Sequence, residues 1–230
     1  MGVVVRGYGK TVAHKGFLAF ASLGGLSKAI SYAYITGSPF IAIHLLGASP
    51  SRYGLWSLLP NMGYLCGAFL AGKLADRSKP VTLVFVGWAV GLGGAIICLF
   101  LFLAGKVSLW TLFPPLALVL GGAAMVSSNA NALAMGSIKD KGLGSGFLAF
   151  LQIGLSSIGS AAMSLFHSGS ALPLPSVVIG LLMVMIAVIF TARRDFHQED
   201  KKPPLHETGS PSSWPSNENS RRSMPPTVSI

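Results

Sequence analysis

Residues Val81–Ala104 read VTLVFVGWAVGLGGAIICLFLFLA, a run without a single charged side chain. A helix needs about 20 mostly apolar residues to cross a hydrocarbon core of about 30 Å. The run is long enough to do so, and it is bounded by Lys79 on one side and Lys106 on the other. It therefore predicts a membrane-spanning helix.

Five further stretches of the chain have the same character, so the sequence predicts an all-α, polytopic membrane protein with six spans. We expect a break or kink at Gly37-Ser38-Pro39 in the first span and a kink at Pro60-Asn61 in the second, because proline lacks a backbone N–H. The predicted spans are Phe17–Ile43, Tyr53–Ala75, Val81–Ala104, Leu109–Met135, Leu143–Phe166 and Pro173–Ala192.

The composition excludes other classes of protein. Of the 230 residues, 51% are hydrophobic and 10% are charged, against roughly 25% charged in soluble domains. So little charge excludes a soluble globular domain, and so much apolar surface excludes disorder for most of the chain. Cys66 and Cys98 both lie in apolar runs, which excludes a disulfide scaffold.

Basic residues lie mainly in alternate loops. Ten of them precede the first span or follow the second, fourth and sixth spans, whereas the other loops contain only Arg52 and Lys106. This bias predicts that both termini face the cytoplasm. The ten residues are Arg6, Lys10, Lys15, Lys73, Arg77, Lys79, Lys139, Lys141, Arg193 and Arg194.

Three regions follow from this pattern. Residues 1–16 form a cytoplasmic N-terminal segment, and residues 17–192 form the six-helix transmembrane domain. The first apolar stretch is too long for the core of a signal peptide, so we interpret it as a span. Residues 193–230 are rich in proline, serine and charged residues, which predicts a disordered cytoplasmic tail.

Lys28 lies near the middle of the first predicted span. An ammonium group at this depth needs a water-filled cavity or a polar partner, unless the side chain snorkels to the interface. Ser31 and Tyr32 follow Lys28 by three and four residues, which places them on the same face of a helix. We predict that this face lines a cavity.

Two amides inside the predicted spans have two interpretations each. Asn61 follows Pro60 and could satisfy the backbone carbonyl that the proline frees, or it could face a lumen. Gln152 could face a neighbouring helix or the same lumen. Asn129 and Asn131, near the end of the fourth span, are expected to form hydrogen bonds between helices.

Small-residue pairs in the spans favour close helix packing. Glycines recur at a spacing of four residues at Gly63 and Gly67, Gly87 and Gly91, and Gly142 and Gly146. Such a pair presents a face without side chains, against which a second helix can approach closely.

The motifs of enzymes are missing from the sequence. It contains no cluster with metal-ligand spacing and no nucleotide-binding glycine pattern, so we expect no enzyme, no metal and no cofactor. Ser145 and His167 lie at opposite ends of one predicted span, which excludes a serine protease pair. None of the seven acidic residues lies in a predicted span, so the sequence shows no carboxylate that could carry protons across the membrane. The net charge of +10 is distributed among loops, which argues against nucleic acid as a partner.

The loop after the second predicted span carries a resemblance. It reads Gly72-Lys73-Leu74-Ala75-Asp76-Arg77, which resembles the G-x-L-a-D-r-x-G-r/k signature of the major facilitator superfamily. In that signature the glycine allows two helices to approach, the aspartate can cap a helix N-terminus, and the arginine acts as a charge latch. Ser78-Lys79 replaces the second glycine, as in the weaker copy in the second half of the family.

Three more segments are similar to the Bcr/CflA branch of drug:proton antiporters in that superfamily. Gly37-Ser38-Pro39-Phe40-Ile41, followed by Tyr53-Gly54, resembles the end of helix seven. Ser128-Asn129-Ala130-Asn131-Ala132-Leu133 resembles the end of helix ten, with serine where proline is usual. Gly144-Ser145-Gly146 and Gln152 lie where the branch has a small-residue start to helix eleven and a glutamine.

The resemblance implies a fold of two six-helix halves, each an inverted 3+3 repeat, with substrate bound between them. We expect this chain to be the C-terminal half, located in the bacterial inner membrane among its lipids. It would export drugs or other small molecules by proton antiport, paired with another six-helix half or a second copy. Two alternatives remain: a non-functional truncated remnant, and a six-helix scaffold or accessory subunit. The predicted substrate-binding residues are Lys28, Ser31, Tyr32, Asn61 and Gln152, and the predicted latch is Gly72, Asp76 and Arg77.

Overall fold

The computed structural model describes residues 15–138, 141–165 and 169–191, which fold into helices joined by short turns. No strand occurs in these ranges, so the predicted all-α class is confirmed. The expected cytoplasmic tail, residues 193–230, and nearly all of the expected N-terminal segment, residues 1–16, lie outside them. The helices are α1 (Lys15–Pro39), α2 (Pro50–Ala75), α3 (Pro80–Leu103), α4 (Leu109–Gly136), α5 (Lys141–Leu165) and α6 (Pro173–Thr191).

The helices begin and end within three residues of the predicted spans, once the π-helical turn that extends α1 is included. The helices from α3 to α6 are long and apolar enough to cross a membrane, which indicates an integral membrane protein. In α1 and α2, polar residues such as Lys28 and Asn61 interrupt the apolar run. Their crossing of the membrane, and with it the count of six spans, stays a prediction.

The first span does not break at Gly37-Ser38-Pro39, whereas a kink there stays a prediction. Helix α1 includes Gly37-Ser38-Pro39 and continues directly into a π-helical turn, Phe40–Leu45. The backbone N–H of Leu46 donates to the carbonyl of Ile41, five residues earlier, at 3.0 Å. The helix therefore continues past Pro39 through a turn that is wider than an α-helical one.

Two helices lie at the centre of the bundle. Helix α4 packs against α1, α2 and α3, and helix α1 packs against α4, α5 and α6. The first three helices are therefore joined to the last three mainly through the contacts of α1 and α4. The core between them includes Phe17, Phe20, Leu112, Phe113 and Leu116, each at most 1% exposed.

Two of the three predicted glycine faces lie where helices approach most closely. Gly63 and Gly67 on α2 face the backbone carbonyls of Ala117 and Gly121 on α4. Gly87 and Gly91 on α3 pack against the same helix around Gly122. In contrast, Gly142 and Gly146 at the start of α5 are exposed. Helix α4 therefore receives two neighbours through glycine faces.

The outer surface of the bundle is strongly apolar. Phe69, Phe100 and Phe150 expose 70%, 70% and 73% of their surface, respectively. Contiguous exposure of large apolar side chains is costly in water but normal against lipid. The surface therefore agrees with the membrane assignment of the apolar helices.

The turn between α3 and α4 is closed at both ends by local hydrogen bonds. Gly105 adopts a φ of 71°, and the N–H groups of Gly105 and Lys106 donate to the carbonyls of Phe102 and Leu101. This C-terminal cap requires a left-handed residue, which is why a glycine occupies it. Ser108 and Thr111 then form a reciprocal capping box at the start of α4.

We expect Ser108→Ala to destabilise the protein by about 1 kcal/mol, because it removes the side chain that accepts a hydrogen bond from the N–H of Thr111 at 3.2 Å. The measurement is the free energy of unfolding in mixed micelles. Ser164→Ala is the matched control, since Ser164 is exposed within α5 and caps no helix. Equal stability of the two variants would contradict the assigned role of the cap.

Candidate functional site

Lys28 is half-buried on α1 and points toward α2. Its Nζ donates a hydrogen bond to the hydroxyl of Tyr64 at 3.2 Å and lies 5.6 Å from the centre of the tyrosine ring. Both helices are held in place by α4, which packs against each of them. The ammonium therefore has a polar partner inside the bundle, one of the two arrangements expected for a lysine at this depth.

Two adjoining cavities open beside Lys28. The first, of about 240 Å³, lies among α1, α2 and α4 and is lined by residues that include Ser31, Tyr32 and Asn61. The second, of about 220 Å³, lies between α1 and α5 and is lined by residues that include Tyr32 and Gln152. Lys28 and Tyr32 line both. All five predicted substrate-binding residues thus lie together, while their role in binding stays a prediction.

Gln152 contacts a neighbouring helix and also lines a cavity, so its two interpretations hold together. Its Nε2 donates to Oδ1 of Asn131 on α4 at 2.8 Å. Gly24 on α1 leaves room for this pair, because a Cβ at that position would lie 3.2 Å from Nε2 of Gln152. The interhelical hydrogen bond expected of Asn131 is confirmed. The one expected of Asn129 is wrong, since its amide donates to the carbonyl of Met125 within α4 at 2.8 Å.

Asn61 lines the first cavity and supports its own helix. Its Nδ2 donates to the backbone carbonyl of Ser57 at 2.7 Å. Pro60 lacks the N–H that would bond to the carbonyl of Trp56. The amide of Asn61 therefore bonds to the carbonyl of Ser57, one residue further along, and not to the carbonyl that the proline leaves free. Helix α2 continues through Pro60 without a break.

The loop signature residues lie at the end of α2, outside both cavities. Gly72 is exposed, and a Cβ built on it would meet no atom within 4 Å, so the helix approach expected there is wrong. Asp76 is the C-terminal cap residue of α2, whereas Lys79 precedes α3 as its N-cap residue, so the expected N-terminal capping by Asp76 is also wrong. The latch role of Asp76 and Arg77 stays a prediction.

Sequence reasoning missed Tyr64, Tyr34 and Ser156, which also line the cavities. Tyr64 follows Asn61 by three residues and therefore shares its helix face, which was a usable signal. Tyr34 follows Ser31 by three residues and offered the same signal; it is 4% exposed, and its hydroxyl has no hydrogen-bond partner among the described residues.

A larger cavity, of about 470 Å³, lies among α2, α3 and α4, away from Lys28. Its wall is almost entirely apolar, with Cys66, Ser78 and Thr82 as the only polar side chains among the lining residues. Such a wall has few groups that could orient a polar solute. The two cavities beside Lys28 are therefore the better candidate site.

The chemistry of this candidate site is that of binding. In the described ranges no group of three or more histidine, cysteine, aspartate or glutamate side chains could hold a metal ion. What converges there is one ammonium, several hydroxyls and two amides on a largely apolar wall. No protein-family model matches the chain, and no curated protein matches it.

Proposed function

We propose that the chain is half of a small-molecule transporter of the major facilitator type, similar to the Bcr/CflA drug:proton antiporters. The observation that carries this proposal is the convergence of Lys28, Tyr32, Asn61 and Gln152 on two adjoining cavities within a bundle of apolar helices. Polar side chains inside the membrane domain of transporters mark substrate pathways.

The pairing of the helices supports the proposal. In an internal 3+3 repeat α1, α2 and α3 correspond to α4, α5 and α6 in that order. The contact of α1 with α5 then has its counterpart in the contact of α4 with α2, and the contact of α1 with α6 in that of α4 with α3. An internal 3+3 repeat would have this reciprocity. The substrate would then bind along the face of α1, α2, α4 and α5, where the two cavities open.

The low hydropathy of α1 and α2 has a reason in this proposal. Their polar side chains Lys28, Ser31, Asn61 and Tyr64 lie on the cavity side of the bundle. Helices that line an aqueous cavity and pack against apolar neighbours can cross a bilayer while carrying such residues. We therefore count α1 and α2 among six spans.

The two cavities are open on one side, which supports the proposal that a partner closes them. Tyr32, Ile35 and Ile153 expose 47%, 56% and 68% of their surface beside them. A second six-helix half, or a second copy of the chain, would cover this face. Alternating access would then follow from rocking of one half against the other.

The proposal also includes location and coupling. The resemblance to the Bcr/CflA branch implies the bacterial inner membrane as location. The excess of basic residues in alternate loops predicts that both termini face the cytoplasm. Proton-coupled carriers use a membrane-embedded carboxylate or histidine as their relay. The predicted spans contain no carboxylate, and His44 and His167 lie at the outer ends of spans. A different six-helix half would supply this group, since a second copy of the chain would bring no carboxylate in its spans.

The test is proton flux through vesicles that contain the chain, alone or with a co-expressed six-helix half, in response to neutral, cationic and anionic drugs. We expect a subset of drugs to drive flux, and Asp76→Asn to reduce it several-fold if the loop acts as a latch. Lys106→Gln, which removes a charge from an opposite loop, should leave the flux unchanged. No flux under either condition would contradict transport.

The scaffold alternative instead predicts that deleting Arg193–Ile230 removes the only phenotype of the protein.

A further inference from the structure

We infer that the substrate of this site carries an anionic group, such as a carboxylate or sulfonate, next to a flat apolar body. The inference rests on the proposed function, because it takes the cavities beside Lys28 as the place where substrate binds. It goes further by assigning the charge and shape of the molecule that these walls recognise.

The cation of the site has unused hydrogen-bonding capacity. An ammonium group has three N–H donors, and the structure gives the Nζ of Lys28 one acceptor, the hydroxyl of Tyr64. That hydroxyl and the ring beneath Nζ are neutral and cannot balance the charge. The remaining donors adjoin both cavities, since Lys28 lines each of them.

Within the described ranges no acidic residue lies beside Lys28. The sequence has no aspartate or glutamate before residue 76, and the next one after Asp76 is Asp140. Asp76 itself is exposed at the end of α2, far along the helix from Tyr64. A positive charge without a carboxylate in a partly desolvated cavity attracts an anion and repels a cation.

The remaining walls describe the body of the substrate. Tyr32, Tyr64 and Ile35 present aromatic and aliphatic surface in the first cavity, and Ile153 does so in the second. Each cavity is smaller than the roughly 300–1,000 Å³ of typical drug pockets. The combination of one ammonium with such walls fits a small aromatic acid better than a large cationic dye.

The experiment compares the reaction of a cavity thiol with an anionic and a cationic reagent of similar size. Ser31→Cys is introduced into a chain in which Cys66→Ala and Cys98→Ala remove the native thiols. The probes are sulfonatoethyl and trimethylammonioethyl methanethiosulfonate. With either probe the thiolate attacks the sulfur–sulfur bond, a mixed disulfide forms and methanesulfinate leaves. Mass spectrometry of the intact protein in lipid nanodiscs measures the two rates.

Rates are normalised to Ser176→Cys, an exposed position on α6 that lines neither cavity. We expect the normalised preference for the anionic reagent at Ser31→Cys to be about tenfold. Lys28→Gln should abolish this preference, while Lys28→Arg, which keeps the charge, should preserve it.

A normalised ratio near one, or a preference that survives Lys28→Gln, would overturn the inference. Both rates are measured without transport, so they remain informative if the proton-flux test fails. Conversely, flux driven only by cationic drugs through a cavity without anion preference would retain the proposed function and overturn the assigned substrate class.

Discussion

Replacing Lys28 with leucine is expected to convert α1 from a helix that inserts poorly into membranes by itself into one that inserts efficiently. Lysine at the centre of a helix costs about 2.5–3.5 kcal/mol on the insertion scale, whereas leucine contributes about −0.3 to −0.6 kcal/mol. The substitution therefore shifts insertion by about 3–4 kcal/mol, which is more than a hundredfold in the equilibrium.

The measurement is the fraction of residues 15–45 that inserts when this segment is placed between two glycosylation sites of a reporter protein. Lys15→Leu is the matched control on the same helix. Because Lys15 is the first residue of α1 and of the tested segment, its replacement should change insertion far less than a replacement at the centre of the helix. Insertion of the unmodified segment as complete as that of α3 would contradict the expectation.

The helices that hold α1 in place are synthesised after it. The helices that pack against α1 are α4, α5 and α6, all of which follow it in the chain. Before these helices are made, the hydroxyl of Tyr64 on α2 is the one described hydrogen-bond partner that the chain offers to Lys28. Stable placement of α1 in the membrane is therefore expected to depend on helices that are made after it.

Gly67→Ala and Gly159→Ala are expected to destabilise the bundle by about 1–3 kcal/mol each, the usual cost of overpacking. A Cβ on Gly67 would collide with the backbone carbonyl of Gly121, and one on Gly159 with the backbone carbonyl of Ala29. Backbone atoms cannot rotate away as a side chain can, so the helices must separate. The higher helix propensity of alanine, at most about 1 kcal/mol, does not offset this loss.

The measurement is the free energy of unfolding in mixed micelles of detergent and lipid. Gly154→Ala and Gly180→Ala are matched controls, because a Cβ at either position meets no atom within 4 Å. These two variants should be as stable as the original protein or slightly more stable. If Gly67→Ala behaves like Gly154→Ala, then α2 and α4 are not packed as closely as described.

The positions of the helices could be predicted from the sequence because long apolar runs, which apart from Lys28 carry no charge in their middles, are separated by short polar or turn-forming segments. The grouping of Lys28, Ser31 and Tyr32 was also predictable, since spacings of three and four residues fix a helix face without knowledge of the fold. Neither inference needs to know which helices are neighbours.

Contacts between distant segments could not be predicted in the same way. The bond between Gln152 and Asn131 depends on α4 and α5 meeting at Gly24 of α1. The N-terminal capping expected of Asp76 is wrong because α2 extends to Ala75 and leaves this residue at a helix C-terminus, where a carboxylate has no free backbone N–H groups to accept from. In both cases the geometry of packing and of helix ends decides, and the residue types do not reveal it.

The π-helical turn after Pro39 gives α1 a tolerance to changes in length that the other helices lack. Its hydrogen bond from Leu46 reaches back five residues instead of four, so the turn holds one residue more than an α-helical turn. A deletion within Phe40–Leu45 could be absorbed by tightening that turn. A one-residue deletion between Gly16 and Ser27 would instead rotate Lys28 and Tyr32 by about 100° relative to the start of α1 and carry them out of alignment with their neighbours.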